Sequence, residues 1–222
     1  AITWMKTHAS SYGVDPNRIV VGGASAGGHI ALLAAYTDGK ESFTPEELMG
    51  EDISVGGVIS FYGPTELVAT YYHNAQDQIQ QQAPSAKEKD NATDMPPWIQ
   101  KWMGDDFHRL GFDKQEEPGM LAPILGGTPE EQPAIYALYS PITHVHEACP
   151  PTLLLQGKQD IIVPADATSD LYLRLKAVGV PVVLHLFSQT DHAFDLVLPR
   201  LSLSAHNAYY DVERFLALIA SN

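Results

Sequence analysis

The stretch Val20-Val21-Gly22-Gly23-Ala24-Ser25-Ala26-Gly27-Gly28-His29 decides how the rest of the chain is read. It opens on a short β-branched run from Arg18, following the turn signal Asp15-Pro16-Asn17, and passes into an Ala/Leu-rich stretch over 27–36. The pattern predicts strand, tight glycine turn and helix. Between strand and helix lies G-x-S-x-G as Gly23-Ala24-Ser25-Ala26-Gly27, a context in which a serine is lifted clear of a sheet on a sharp turn. Such a turn strains the serine backbone and brings the chain close to itself two residues before and two after, so glycine is expected at both positions. It also leaves the Ala26 N–H at a helix N-terminus, where partial positive charge favours a developing oxyanion. A dinucleotide loop needs G-x-G-x-x-G, and the register here fails that pattern.

Working outward, strands and helices alternate. Strand candidates are 54–61, 151–156 and 182–187, with helices expected over 165–177 and 204–220. That order predicts an α/β fold, a mostly parallel sheet with helices on both faces. Nearly eighty residues between Gly63 and Cys149 break the alternation. A structureless loop of that length inside a domain is improbable, so 64–148 is read as an inserted, cap-like segment within one domain spanning 1–222. Trp98 and Trp102 stand at i, i+4 in that insertion. They either line an acyl pocket or form the insertion's own core. The first residues, AITWMKTHASSYGVDP, read as the later part of a helix and its exit turn. Their Trp4/Met5 pair is expected to be buried, which suggests further sequence upstream.

A nucleophilic serine needs a general base, and the base needs an acid to hold its tautomer. In a G-x-S-x-G sheet protein the chain order is Ser, then Asp or Glu, then His, with the later two on loops leaving later strands. Gln156-Gly157-Lys158-Gln159-Asp160 places Asp160 in the loop after the third strand, and Leu186 to His192 repeats that geometry one strand later. Asp166 and Asp170 fall at or in the next helix, and Asp191 and Asp195 flank His192 too closely to orient it readily. Among nine histidines, His29 lies one turn into a helix and His185 inside a strand, positions more suited to packing or solvation than to the base. His144, His146 and His206 precede the acid or lie in the last helix and form no spaced metal set, so neither a metal nor another cofactor is expected.

Composition bounds the partners. The chain of 222 residues is 45% hydrophobic and 18% charged, the profile of a folded domain rather than a disordered or collagen-like one. Thirteen basic against 27 acidic residues leave a charge of −14, which gives nucleic acid or an anionic membrane little to bind. No apolar run approaches the ~18 residues of a membrane span. One cysteine, Cys149, excludes an internal disulfide. With no visible signal peptide, it tilts the compartment toward the cytoplasm without deciding it.

The chain resembles the carboxylesterase and lipase branch of the α/β-hydrolase superfamily related to hormone-sensitive lipase, including bacterial esterases. The matching pieces are Gly13-Val14-Asp15-Pro16-Asn17-Arg18-Ile19, Gly-Ala-Ser-Ala-Gly-Gly at 23–28, Tyr139-Ser140-Pro141-Ile142, Pro150 to Gly157 with Asp160, and Asp191-His192-Ala193-Phe194. The resemblance spans the chain and is weak over about 70–120. It implies an α/β-hydrolase fold, a small-molecule ester substrate of short to medium acyl length, Ser25 as nucleophile, Asp160 as acid and His192 as base. Two positions depart from the branch's usual pattern, Ala24 standing where it often has Asp and Ala193 where it often has Gly. The family's oxyanion motif, His-Gly-Gly with a further Gly, is absent and would precede Ala1. By the same comparison the first strand has an unpaired edge, which an N-terminal segment or a second chain would complete. A peptidase of the same fold shares the triad, and a non-catalytic binding fragment shares the fold, so both remain alternatives.

Overall fold

The computed structural model describes residues 1–82, 121–196 and 201–221. Its centre is a parallel sheet in the order β1 (Val20–Ala24), β2 (Gly57–Phe61), β3 (Thr152–Gly157), β4 (Val182–Phe187). Pairing is in register along each ladder, with Ala24 opposite Phe61 and Phe61 opposite Leu155, so the strands' C-terminal ends emerge together. β3 is buried along its whole length, as its TLLLQ run requires of a strand covered on both faces.

The period of two divides the sheet's side chains between two cores. Val58 and Leu154 pack with Leu32 and Tyr36 of α2 (Ala26–Tyr36) and with Leu171 and Leu175 of α6 (Ala165–Ala177). Ile59, Leu153 and Leu155 point the other way, onto Ala208 and Phe215 of α7 (Leu203–Ser221). Tyr36 is fully buried, and its hydroxyl bonds the Thr152 hydroxyl at 2.9 Å, so the polar tip is satisfied inside the first core.

The predicted elements recur with shifted ends. β1 starts two residues later than expected because Pro16–Arg18 form a 3₁₀ turn, capped by the Asp15 carboxylate accepting from the Asn17 N–H. It then continues through Gly22 and Gly23 to Ala24, directly against Ser25. β2 begins at Gly57 rather than Ser54, since Asp52 bonds the Ser54 N–H in a local turn. Ile2–His8 form the expected helix, α1, ending in a turn closed by left-handed Gly13 at φ 64°. Trp4 departs from its expected burial. It is 50% exposed, stacked on His8 one turn away.

The described parts of the 64–148 insertion are helical: α3 (Leu67–Gln82), α4 (Leu121–Leu125) and α5 (Pro133–Tyr139). Leu67, Tyr71, Ala122 and Tyr136 form a small core of their own. The Leu67 N–H bonds the Ser140 hydroxyl at 2.9 Å and the Ile142 N–H bonds the Thr65 carbonyl at 3.1 Å, so the segment leaves and rejoins the sheet at one place. Trp98 and Trp102 lie outside the described residues.

Among the described residues β1 pairs only with β2, leaving its other edge free. Beside that edge runs an apolar groove of about 380 Å³ lined by Val21, Gly22, Gly27, Ile30, Ala34 and Phe43. No helix among the described residues is long and apolar enough to cross a membrane.

Candidate active site

Ser25 sits between β1 and α2 with φ 53° and ψ −122°, a backbone region that side chains rarely adopt. Its N–H bonds the Phe61 carbonyl at 2.9 Å and its carbonyl accepts from the His29 N–H at 3.0 Å, so sheet and helix hold the turn from both sides. The crowding expected of this turn falls on Gly23, where an added Cβ would lie 2.5 Å from the Gly27 carbonyl carbon. Gly27 itself faces open space, which corrects the expectation that both flanking glycines are sterically required. The close approach on the helix side is made one residue later, where a Cβ on Gly28 would come 2.7 Å from the Ser60 hydroxyl.

The three side chains singled out from the sequence lie in one hydrogen-bonded line. His192 Nε2 is 3.0 Å from Ser25 Oγ, and His192 Nδ1 is 2.8 Å from Asp160 Oδ2. Asp160 is 4% exposed and both its oxygens are occupied by donors. Oδ2 also accepts from Gln156 Nε2 at 2.8 Å, while Oδ1 accepts from the N–H groups of Ile162 and Val163 at 2.9 and 2.8 Å. A carboxylate surrounded by donors acts only as an acceptor, so Nδ1 carries the imidazole proton and the Nε2 lone pair faces the serine. That arrangement is able to accept the serine proton as Oγ attacks a carbonyl carbon.

Both later members ride on one braced pair of loops. Gly157 lies so close to the next loop that a Cβ there would meet the Thr190 carbonyl at 2.5 Å. The Gln159 N–H bonds that same carbonyl at 3.1 Å, and Asp191 Oδ1 accepts from the Ile161 and His192 N–H groups at 3.1 and 2.6 Å. Asp191 therefore ties the two loops together rather than contacting the imidazole. Ala26 is the first residue of α2, where helical N–H groups lack intrahelical partners. Two of the other histidines are engaged away from this line. His29 Nδ1 meets the Pro64 carbonyl at 2.8 Å, with burial lowering its pKa, and His185 pairs with Asp211 at 2.6 Å.

Sequence reasoning missed three contributors. Gln156 was visible only as the end of an apolar strand, yet its amide is buried against Asp160, and a glutamine closing a TLLL run was the available signal. His73 on α3 bonds the Asp160 carbonyl through Nε2 at 2.9 Å, linking the insertion to the acid loop. Tyr62 places its ring 4.4 Å from the His192 ring, with nothing in its sequence neighbourhood to announce it. Ala193 has φ 56°, a left-handed conformation natural to glycine, which accounts for the glycine usual at that position in the branch. Among the described residues, no group of three or more metal-ligating side chains converges.

Residues 1–101 and 92–175 match the family model BD-FAE. The probable carboxylic ester hydrolase LipM of Mycobacterium tuberculosis is 31% identical across 98% of this chain and 41% of its own length. Esterase LipC of the same organism is 26% identical across 89% of this chain and 40% of its own length. The chain thus spans about two fifths of the length of these curated relatives. In structure, the butyrate-bound esterase Est2 of Thermogutta terrifontis superposes with a TM-score of 0.63 at 24% identity, covering 98% of this chain and 62% of that one. At that identity the likeness speaks for the fold alone.

Proposed function

The chain belongs to the BD-FAE family and has the α/β-hydrolase fold, and on that footing we propose that it hydrolyses carboxylic esters of short to medium acyl chain through an acyl-enzyme. The observation that carries the proposal is the unbroken line Ser25 Oγ, His192 Nε2, His192 Nδ1, Asp160 Oδ2, with contacts of 3.0 and 2.8 Å. His192 takes the Ser25 proton as Oγ bonds the ester carbonyl carbon. The oxyanion so formed is met by the Ala26 N–H, while Asp160 stabilises the imidazolium. His192 returns the proton to the leaving alkoxide, freeing the alcohol. Water then attacks the acyl-enzyme with the same base, releasing the acid and restoring Ser25. The ester hydrolase names of LipM and LipC support the ester over the amide. The test is turnover of a p-nitrophenyl ester series from acetate to octanoate beside an aminoacyl p-nitroanilide. Ester cleavage peaking at short or medium chains is expected, and faster anilide cleavage would assign a peptidase instead.

The same reading includes a segment, from this chain's upstream sequence or from a second chain, that pairs with the free edge of β1 and covers the Ile30 groove. An exposed parallel edge beside apolar surface is a pairing site that proteins ordinarily cover. That segment would bring the second oxyanion donor, since Ala26 supplies one and each donor is worth about 10²- to 10³-fold in rate. Ester turnover is therefore expected to rise by about that factor when the 222 residues are compared with the same chain extended upstream. Equal rates would contradict this part of the reading.

A further inference from the structure

Tyr62 stands immediately after β2 with φ 41°, a conformation unfavourable for an aromatic residue. Its N–H is fixed to the Leu155 carbonyl at 2.8 Å, and its side chain is 1% exposed. From there it makes two contacts with the loop that carries His192. The ring lies 4.4 Å from the imidazole, tilted by 59°, and the hydroxyl donates to Asp195 Oδ1. Asp195 is 8% exposed and sits three residues beyond His192, on the far side of the left-handed turn at Ala193. Phe194, between them, packs edge-on against the same tyrosine ring at 5.5 Å. Burial first, and the Asp195 carboxylate second, push the phenol pKa up, so Tyr62 remains a donor across the working pH range. Strained backbone persists where the surroundings hold it in place, and such strain gathers at functional sites. Ser25, Tyr62, Gln189 and Ala193 are the non-glycine residues with positive φ among the described residues, and all lie in the turns around this site.

We infer that Tyr62 and Asp195 form a positioning pair that sets the plane and distance of the His192 imidazole relative to Ser25. The inference rests on the ester hydrolase reading and names residues that act through its base. The tyrosine ring is a wall against which the imidazole lies, and the bond to Asp195 fixes the loop just beyond His192 to the end of β2. Asp160 sets the tautomer from one edge of the ring, and Tyr62 sets the orientation from its face. In this role Tyr62 and Asp195 act through His192 and exchange no proton in the reaction.

The inference is tested with a fluorophosphonate, separating the saturable affinity from the first-order rate of Ser25 modification. In Tyr62→Phe the wall remains and the anchor is lost. Its first-order rate is expected to fall by about tenfold to 100-fold, as for a small misplacement of a catalytic group, with affinity unchanged. Asp195→Leu should reproduce that loss, and Asp195→Asn, which keeps an acceptor oxygen, should recover most of it. This pair reads the anchor from its other end if Tyr62→Phe does not fold. Variants that react at the wild-type rate, or that lose affinity in step with rate, would overturn the inference. An unmodified wild-type chain would instead overturn the ester hydrolase reading, so the two failures are distinct.

Discussion

Asp160→Asn is expected to lower kcat for ester hydrolysis by about 10⁴-fold with KM little changed. The reason is the donor set around the carboxylate. Oδ1 accepts two backbone N–H groups and Oδ2 accepts Gln156 Nε2 and His192 Nδ1. An asparagine has one acceptor oxygen and one NH₂, and either orientation fails. With the NH₂ toward His192, Nδ1 must become the acceptor, the proton moves to Nε2, and the imidazole presents a donor to Ser25 in place of a lone pair. With the NH₂ toward Ile162 and Val163, the half-buried Ile162 N–H and the buried Val163 N–H lose their acceptor, at about 1–3 kcal/mol for the buried one. In the first orientation the NH₂ also faces the Gln156 amide nitrogen, and Gln156 is held from turning over because its Oε1 accepts from the Thr168 hydroxyl at 3.2 Å. Both the activity loss and a lowered denaturation midpoint are therefore expected, read by steady-state kinetics and by chemical unfolding. A variant within tenfold of the parent chain would remove Asp160 from the proposed mechanism.

Ser25→Gly is expected to abolish turnover, by about 10⁶-fold, while making the protein more stable. The serine backbone at φ 53° and ψ −122° carries strain of roughly 1–3 kcal/mol that glycine does not feel. Against this, glycine adds about 0.5–1 kcal/mol of unfolded-state entropy, so a net gain of about 1 kcal/mol should remain. Ser25→Ala keeps the Cβ and hence the strain, so it should match the loss of activity without the gain in stability. Comparing the two variants separates the chemical role of the hydroxyl from the conformation that presents it. If Ser25→Gly is no more stable than Ser25→Ala, the turn is not strained at this residue.

The G-x-S-x-G stretch and the later loops were readable because each part carries its own local signal. Gly23 marks a close approach, the TLLLQ run marks a strand buried on both faces, and Asp160 and His192 each follow such a strand. Their convergence follows from register, since parallel strands in step deliver their exit loops to one end of the sheet. What escaped the sequence depends on contacts between distant segments. Gly22 and Gly23 have low strand propensity, yet β1 runs through them because β2 supplies the ladder. Gly27 matches the motif without being crowded, so a motif position and a steric requirement are separate statements. Asp195 looked like a poor rival for Asp160. Its partner, Tyr62, is 133 positions away in sequence, and no periodicity links the two. Trp98 and Trp102, singled out by helical spacing, lie outside the described residues.

The central claim is that Ser25 is the activated nucleophile of an ester hydrolase, and active-site labelling tests it most directly. The 222-residue chain is treated with a fluorophosphonate, digested, and the modified peptide sequenced by mass spectrometry, with His192→Ala treated in parallel. One adduct per chain is expected, on Ser25, and none in His192→Ala. An adduct on another residue, or none on the folded wild-type chain, would contradict it.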